Sequence, residues 1–345
     1  MTFTVTVQPS GRSFTVERDE PILTAAIRQG VGLPYGCKDG ACGSCKSRLV
    51  EGRVIHGVHQ HKALSVEEEA AGFVLTCSAA AQTDVVIEAR TVPGAGEFAV
   101  RKMPTRVTTI ARPAPDVAVL TMQLPANDAL RYHAGQYVEF ILRDGSRRSY
   151  SMANAPHTQG DKPWIELHVR HMPGGKFTDQ VFDTLKEKDI LRMEGPFGSF
   201  FLREDSTKPM VLLASGTGFA PIKAIIEDLR FKGSDRPAVL YWGCRSKADL
   251  YLHDWAVQAA RDMPHLSYIP VLSEPRPEDA WTGRTGFVHQ AVMADLPDLS
   301  GHQVYACGAP VMVESAQRDF VALCGLPAEE FLADAFTSEA DKHGD

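Results

Sequence analysis

The 345-residue sequence has no apolar run near the roughly 18 residues of a membrane-spanning helix. Its most apolar stretch, MVLLASGTGFAP (210–221), is interrupted by glycines and a proline, so no membrane span is expected. Positive charge is also scarce. Lys and Arg number 36 against 43 Asp and Glu, a formal charge of −7, which excludes a nucleic-acid binder relying on phosphate neutralisation. The N-terminus, MTFTVTVQPSGR, lacks a basic region followed by an apolar segment, so no signal peptide is read and a cytoplasmic location is expected. There is no internal repeat, no low-complexity tract, no Ser/His/Asp or nucleophile-elbow pattern, and no Gly-Lys-Ser/Thr of a Walker loop. A disulfide framework is absent too: the cysteines number seven, four of them between Cys37 and Cys77 and three scattered beyond position 240.

What is present has the length of roughly two to three domains. Residues 1–92 open with the hairpin FTVTVQ and SFTVER around Pro9-Ser10-Gly11. A short helix is expected next, with Pro21 in its first turn and Ile22, Leu23, Ala26 and Ile27 as its buried face. Ser65 and Glu68 have capping-box spacing for a helix VEEEAA that Gly72 ends, and FVLTC and DVVIEA read as strands. Residues 93–103 read as a linker. From 104 to 207 six strands predict a small antiparallel β-barrel, with one helix at FTDQVFDTL (177–185). From 208 to 345 strands alternate with helices, the pattern of a doubly wound, mainly parallel α/β domain.

Cys37-x4-Cys42-x2-Cys45, with Cys77 further on, is the ligand spacing of a plant-type [2Fe–2S] centre. Three thiolates from one loop require tight wrapping, for which Gly36, Gly40, Ala41, Gly43 and Ser44 supply small residues. A structural zinc site usually pairs two short Cys-x2-Cys arms, and here a single distant cysteine completes three clustered ones. His56, His59 and His61 fall in a polar loop with no carboxylate nearby in sequence, and are read as solvated. Glu67–Glu69 reads as an exposed helix face.

In the barrel, Arg148-Ser149-Tyr150-Ser151 lies on one strand, and an Arg, an aromatic ring and a hydroxyl there offer a phosphate partner, a stacking face and a hydrogen-bond donor. A second patch runs from His168, Val169 and Arg170 to Gly174, Gly175, Lys176 and Thr178, where a Gly-Gly turn entering a helix offers amides to an anion. Gly216-Thr217-Gly218-Phe219-Ala220-Pro221 sits between a strand and a helix, the setting of a pyrophosphate site, with Pro221 in place of the third glycine of G-x-G-x-x-G. Cys307-Gly308 ends a strand at the sheet edge where ligands bind. Cys244 and Cys324 read as small core residues. Arg245 would meet a 2′-phosphate and favour NADPH; Glu274 would repel it and accept from a free 2′-hydroxyl. The balance favours NADH, with NADPH open.

The loop YGCKDGACGSCK resembles that of plant-type ferredoxins, whose β-grasp fold the surrounding β–helix–β pattern is similar to. The barrel and nucleotide motifs together resemble the ferredoxin–NADP reductase superfamily. That resemblance implies Arg148 on the FAD pyrophosphate, Tyr150 packed on the isoalloxazine, Ser151 facing flavin N5, and Gly174, Gly175, Lys176 and Thr178 on the phosphates. It also puts Cys307 beside the nicotinamide and Phe336 over the flavin, with Asp334 at a position that is often acidic. Nine residues follow Phe336, whereas the stacking ring of plant-type members is the last residue.

The function implied is hydride transfer from NADH to FAD, then single electrons through the [2Fe–2S] centre to a partner. Such chains serve ring-hydroxylating dioxygenases and multicomponent monooxygenases. The LPYGC…ACGSCK loop and FLADAF ending are most similar to the CDP-6-deoxy-Δ-3,4-glucoseen reductase type, so the expected acceptor is a dehydratase, with an oxygenase component as the alternative. A non-enzymatic metal-binding interaction protein is the contrasting class. Residues 1–92 carry 9 basic and 10 acidic residues, a balance that suits a carrier tethered to its own reductase.

Overall fold

A computed structural model describes residues 1–126 and 130–337. The chain forms two compact units: Met1–Val100 with Gly198–Phe200 and the chain from Ala335, and Arg101–Phe197 with Phe201–Asp334.

The first unit is a β-grasp. Strands β1 (Thr2–Gln8), β2 (Arg12–Glu17), β3 (Lys46–Glu51), β5 (Phe73–Leu75) and β7 (Val85–Glu88) form one sheet in the order β2-β1-β7-β3-β5. Short strands β4 (Val54–Ile55) and β6 (Ala80–Ala81) pair separately. Strand β1 is antiparallel to β2 and parallel to β7, and the alternation of Val5, Val7, Phe14, Val16, Val85 and Ile87 turns one face inward. Helix α1 (Ile22–Arg28) covers that face with Ile22, Leu23, Ala25 and Ala26. The sequence pattern had Ile27 in place of Ala25; on so short a helix the buried stripe runs i, i+1, i+3, i+4, which leaves Ile27 half-buried. Helix α2 (Val66–Ala70) has both bonds of its capping box, Glu68 N to Ser65 Oγ at 3.3 Å and Ser65 N to Glu68 Oε2 at 3.0 Å. Gly72, at φ +86°, ends it.

The second unit begins with a barrel of β8 (Arg101–Ala114), β9 (Val117–Gln123), β10 (Tyr137–Ile141), β11 (Arg147–Ser151), β12 (Trp164–Arg170) and β13 (Ile190–Phe197), ordered β11-β10-β13-β8-β9-β12. Its described pairings are antiparallel, and a bridge between Met152 and Leu167 joins the two ends. Val107, Leu120, Met122, Val138, Phe140, Ile165, Leu167 and Phe177 fill it, each such burial favouring the fold by about 1.5–3 kcal/mol. Strand β8 starts inside the stretch read as linker, because residues 101–103 pair with Gly195–Met193. The helix read over 177–185 is instead α3 (Lys176–Asp179) followed by a π-turn over Gln180–Thr184. Arg112 caps the end of this segment: its Nη2 donates to the carbonyls of Val181 and Phe182, and its guanidinium lies 4.3 Å from the Phe182 ring centre.

The same unit continues with β14 (Met210–Ser215), α4 (Phe219–Phe231), β15 (Ala238–Cys244), α5 (His253–Asp262), β16 (Leu266–Leu272), β17 (Arg284–Thr285), α6 (Val288–Asp295), β18 (Gln303–Gly308), α7 (Pro310–Leu323) and β19 (Phe331–Ala335). The sheet order is β17-β16-β15-β14-β18-β19, with β14 parallel to both β15 and β18. The two central neighbours β14 and β18 are buried on both faces, as a parallel sheet covered by helices requires.

Candidate active site

The four cysteines of the N-terminal unit are free thiols, Cys45 and Cys77 buried and Cys37 and Cys42 half-buried. The loop that carries three of them turns through positive φ at Lys38, Gly40 and Gly43. A Cβ on Gly40 would lie 2.8 Å from the Val58 carbonyl, so this turn needs glycine to close against the 57–61 loop. The thiols stand as two hydrogen-bonded pairs. Cys42 accepts from Cys37 and Cys45 from Cys77, which lowers the thiols of Cys42 and Cys45 and raises those of Cys37 and Cys77. Among the described residues no three or more His, Cys, Asp or Glu side chains converge on one ion. Two pairs fit a two-iron centre, in which each iron takes two thiolates, better than a single tetrahedral zinc.

The histidine loop differs from its sequence reading. Glu69 of α2 lies against it, 2.8 Å from His59 Nε2 and 3.9 Å from His56 Nδ1. A carboxylate ten residues away in sequence reached the histidines only through the fold.

On β11 the side chains alternate. Arg147 is engaged by Glu139 at 3.0 Å and Glu194 at 2.5 Å. Arg148 and Tyr150 share the other face, where Tyr150 packs 5.0 Å from Phe177 and burial raises its phenol. At the Gly-Gly turn, three groups expected to face phosphate are bonded within the turn. Gly174 N donates to Asp179 Oδ2 at 3.1 Å, Gly175 N to the Met172 carbonyl at 2.8 Å, and the Thr178 hydroxyl to the same carbonyl at 2.8 Å. Those bonds shape the turn. Lys176 Nζ is 2.5 Å from Asp144 Oδ2, whose carboxyl it holds well below the ordinary range.

The second patch is also redistributed. His168 is buried between Tyr251 Oη (2.8 Å) and Glu166 Oε1 (2.9 Å), and Val169 belongs to the barrel core, so neither side chain faces a ligand. Arg170 reaches the nucleotide loop instead of the flavin strand. Its Nη1 would lie 2.9 Å from a Cβ on Gly216. Its Nε pairs with Asp116 Oδ2 at 3.1 Å and its Nη2 lies 3.9 Å from Asp249 Oδ1, although neither buried nitrogen makes a well-aligned hydrogen bond. A guanidinium beside a glycine turn, with two nitrogens short of well-aligned acceptors, fits a phosphate of a bound nucleotide.

The turn Gly216–Gly218 leads directly into α4. Trp242 Nε1 donates to the Gly216 carbonyl at 3.0 Å, and Phe219 stacks on Trp242 at 4.0 Å. Pro221 lies buried in the first helical turn, where its missing N–H has no partner to lose. Thr217 is buried. Cys244, read as core, lies against the loop: it accepts from the Gly216 amide, donates to the Asp249 carbonyl at 3.3 Å, and burial pushes its thiol up to about 12. Arg245 and Glu274 are both exposed and are joined by the Glu274 N to Arg245 carbonyl bond of 2.8 Å, side by side at the sheet edge.

At the end of β18, Cys307 meets β11 and β19. Ser151 Oγ donates to Asp334 Oδ2 at 3.1 Å, and the Cys307 thiol lies 4.0 Å from the same oxygen. All three are buried, and burial beside Asp334 keeps Cys307 a neutral thiol. Gly308, at φ +133°, and Gly218 allow the two loops to touch: a Cβ on Gly218 would be 2.2 Å from the Cys307 carbonyl. Phe336 follows β19 and is half-buried.

Three family models match in chain order: a 2Fe-2S iron-sulfur cluster binding domain over residues 5–82, an oxidoreductase FAD-binding domain over 104–202 and an oxidoreductase NAD-binding domain over 212–318. The CDP-6-deoxy-L-threo-D-glycero-4-hexulose-3-dehydrase reductase of Yersinia pseudotuberculosis is 40% identical over 339 residues, covering 97% of this chain and 99% of that protein. The chain is an iron–sulfur flavoprotein reductase of the ferredoxin–NADP reductase superfamily. Reductase component 1 of terephthalate 1,2-dioxygenase from Comamonas is 35% identical over 348 residues, 99% of this chain and all (100%) of that protein. Among solved structures, an Amycolatopsis cytochrome P450 reductase superposes with a TM-score of 0.79 at 33% identity, covering 97% of this chain and 99% of that one.

The reductase is therefore an NAD(P)H-dependent oxidoreductase that takes a [2Fe–2S] cluster, FAD and NAD as cofactors. Among its described residues no helix is long and apolar enough to cross a membrane. The sequence reading passed over Lys223, Glu166 and Glu227 entirely. The one signal available was a lysine in the otherwise apolar run of α4, IKAII.

Proposed function

We propose that the reductase draws electrons from NADH and delivers them singly to a dehydratase acting on a nucleotide-linked deoxysugar. The observation that carries the donor site is the buried Ser151–Asp334–Cys307 group, where the flavin strand meets the carboxyl edge of the nucleotide sheet. In this reading Arg148 and Lys176 hold the FAD pyrophosphate and Tyr150 packs on the ring. Arg170 and the turn Gly216–Gly218 take the nucleotide phosphates, and Cys37, Cys42, Cys45 and Cys77 hold the cluster. Bound FAD accepts the hydride pair and releases electrons one at a time, which neither nicotinamide nor the cluster does alone.

The chain's own work is positional. Ser151 offers a hydroxyl whose direction Asp334 fixes, and burial beside Asp334 keeps the Cys307 thiol neutral. Glu274 beside Arg245 disfavours a 2′-phosphate, which supports NADH over NADPH. Phe336 is the candidate ring to cover the flavin. The full-length likeness to the Yersinia protein supports the dehydratase as acceptor. The Comamonas and Amycolatopsis relatives support a second reading, an oxygenase or P450 partner.

The test uses the holoprotein with ferricyanide and cytochrome c as acceptors. NADH is expected to outperform NADPH, and Cys42→Ser is expected to abolish cytochrome c reduction while keeping ferricyanide reduction. Retention of cytochrome c reduction in that variant would place electron exit upstream of the cluster and overturn the order. Anaerobic reduction of a purified hexulose-3-dehydratase, set beside a dioxygenase component, decides the acceptor.

A further inference from the structure

We infer that Lys223 is a positioning residue for hydride transfer, locking the helix that begins at the nucleotide loop to the strand that carries Tyr150 and Ser151. Lys223 lies on α4, five residues after Gly218, and its side chain is 7% exposed. Its ammonium has three acceptors: the Ala153 carbonyl at 3.0 Å, Glu227 Oε1 at 2.6 Å and Glu166 Oε1 at 3.1 Å. Ala153 stands two residues beyond Ser151 on the same chain segment. Glu227, one turn further along α4, accepts from Ala155 N at 2.9 Å, so α4 grips this segment at two points. Glu166 ties in β12: its N–H donates to Asn154 Oδ1 at 2.8 Å and its carbonyl accepts from Ala153 N at 2.8 Å. His168 extends the network from Glu166 to Tyr251, which packs edge-on against Trp242 behind the Gly216–Gly218 turn.

Stability alone does not call for this arrangement. A buried ion pair is often replaceable by apolar side chains of the same volume without loss, and the neighbours Ile222, Ala224, Ile225 and Ile226 already pack the helix. Tetrahedral donation to fixed acceptors adds direction, which an apolar contact lacks. The direction set here is that of the nucleotide loop relative to the flavin strand. An error of about 1 Å between reacting groups lowers a rate about 100-fold.

The inference rests on the donor site proposed above. Holoprotein variants Lys223→Met and Glu227→Ala are compared with the parent by stopped-flow reduction of flavin with NADH and with 4-deuterated NADH. The expected result for Lys223→Met is a flavin-reduction rate at saturating NADH at least tenfold lower, an isotope effect that is no smaller, and an NADH dissociation constant within threefold of the parent. Flavin content and the absorbance of the iron–sulfur cluster are expected to be unchanged. Glu227→Ala opens one of the two grips and is expected to give a smaller loss of the same kind. Unchanged flavin reduction in both variants overturns the inference, as does a loss seen entirely in NADH affinity. If Lys223→Met does not retain FAD, Glu227→Ala decides alone: a parental rate overturns, a slowed rate at parental affinity supports. Failure of the donor-site reading is separately visible, because the parent itself would then not reduce its flavin with NADH.

Discussion

Substituting Gly218 by alanine tests the nucleotide-loop geometry directly. Gly218 has φ −58°, an ordinary helical value, so alanine meets no backbone strain there. The obstacle is contact. The new Cβ would lie 2.2 Å from the Cys307 carbonyl oxygen, 2.5 Å from its carbon and 2.6 Å from Gly308 Cα, all backbone atoms that no rotamer change can move. Relief requires α4 and the end of β18 to part by about 1 Å, given ordinary contact separations of about 3.5 Å. Overpacking of this kind costs about 1–3 kcal/mol, a fall in melting temperature of about 2–4 °C per kcal/mol for a unit of this size. Because Cys307 ends the separated strand, flavin reduction by NADH is expected to drop about 100-fold. Stopped-flow absorbance and thermal unfolding of the holoprotein measure both. Gly174→Ala is the control, since its φ of +83° carries strain but nothing lies within 4 Å of the added methyl; it is expected to cost about 1 kcal/mol. Parental NADH kinetics and melting temperature in Gly218→Ala would refute the reasoning.

Other outcomes follow from the same contacts. Burial holds His168 below its ordinary value despite Glu166, so the unfolded chain binds this proton first and stability falls as pH drops below about 6.5. Urea unfolding at pH 7 and pH 5 is expected to show that slope, at most about 1.4 kcal/mol per pH unit, reduced in His168→Gln. Glu274→Ala is expected to lower the NADH-to-NADPH ratio of kcat/KM about tenfold, and an unchanged ratio would remove Glu274 from donor choice. Arg112→Ala frees the carbonyls of Val181 and Phe182 and is expected to destabilise the second unit by about 1–2 kcal/mol in urea unfolding, leaving the first unit unaffected.

Local patterns carried most of the architecture. Alternating Val and Thr marked the first hairpin, and Ser65 with Glu68 marked a helix start whose two capping bonds both form. They could not show the π-turn at Gln180–Thr184, whose closing carbonyls are held by Arg112, about 70 residues earlier in the chain. The internal bonding of the Gly-Gly turn was not legible for a related reason. Gly174, Gly175 and Thr178 are the residue types an anion site uses, but the same groups can bond within the turn, and Asp179 and the Met172 carbonyl take them.

By itself the sequence determined the cofactor chemistry of this reductase. Thiol spacing within one loop, R-x-Y-S on a strand and GTG before a helix are short-range patterns, and each needs only a few neighbouring residues to be legible. Tertiary structure decided which side chains meet: Ser151 with Asp334 and Cys307, Arg170 with Gly216, and Lys223 with Glu166 and the Ala153 carbonyl. Ser151 and Asp334 lie 183 residues apart, and Lys223 lies 70 residues from Ala153. Only strand register and helix packing bring such groups within a few ångströms, and no local pattern encodes that approach.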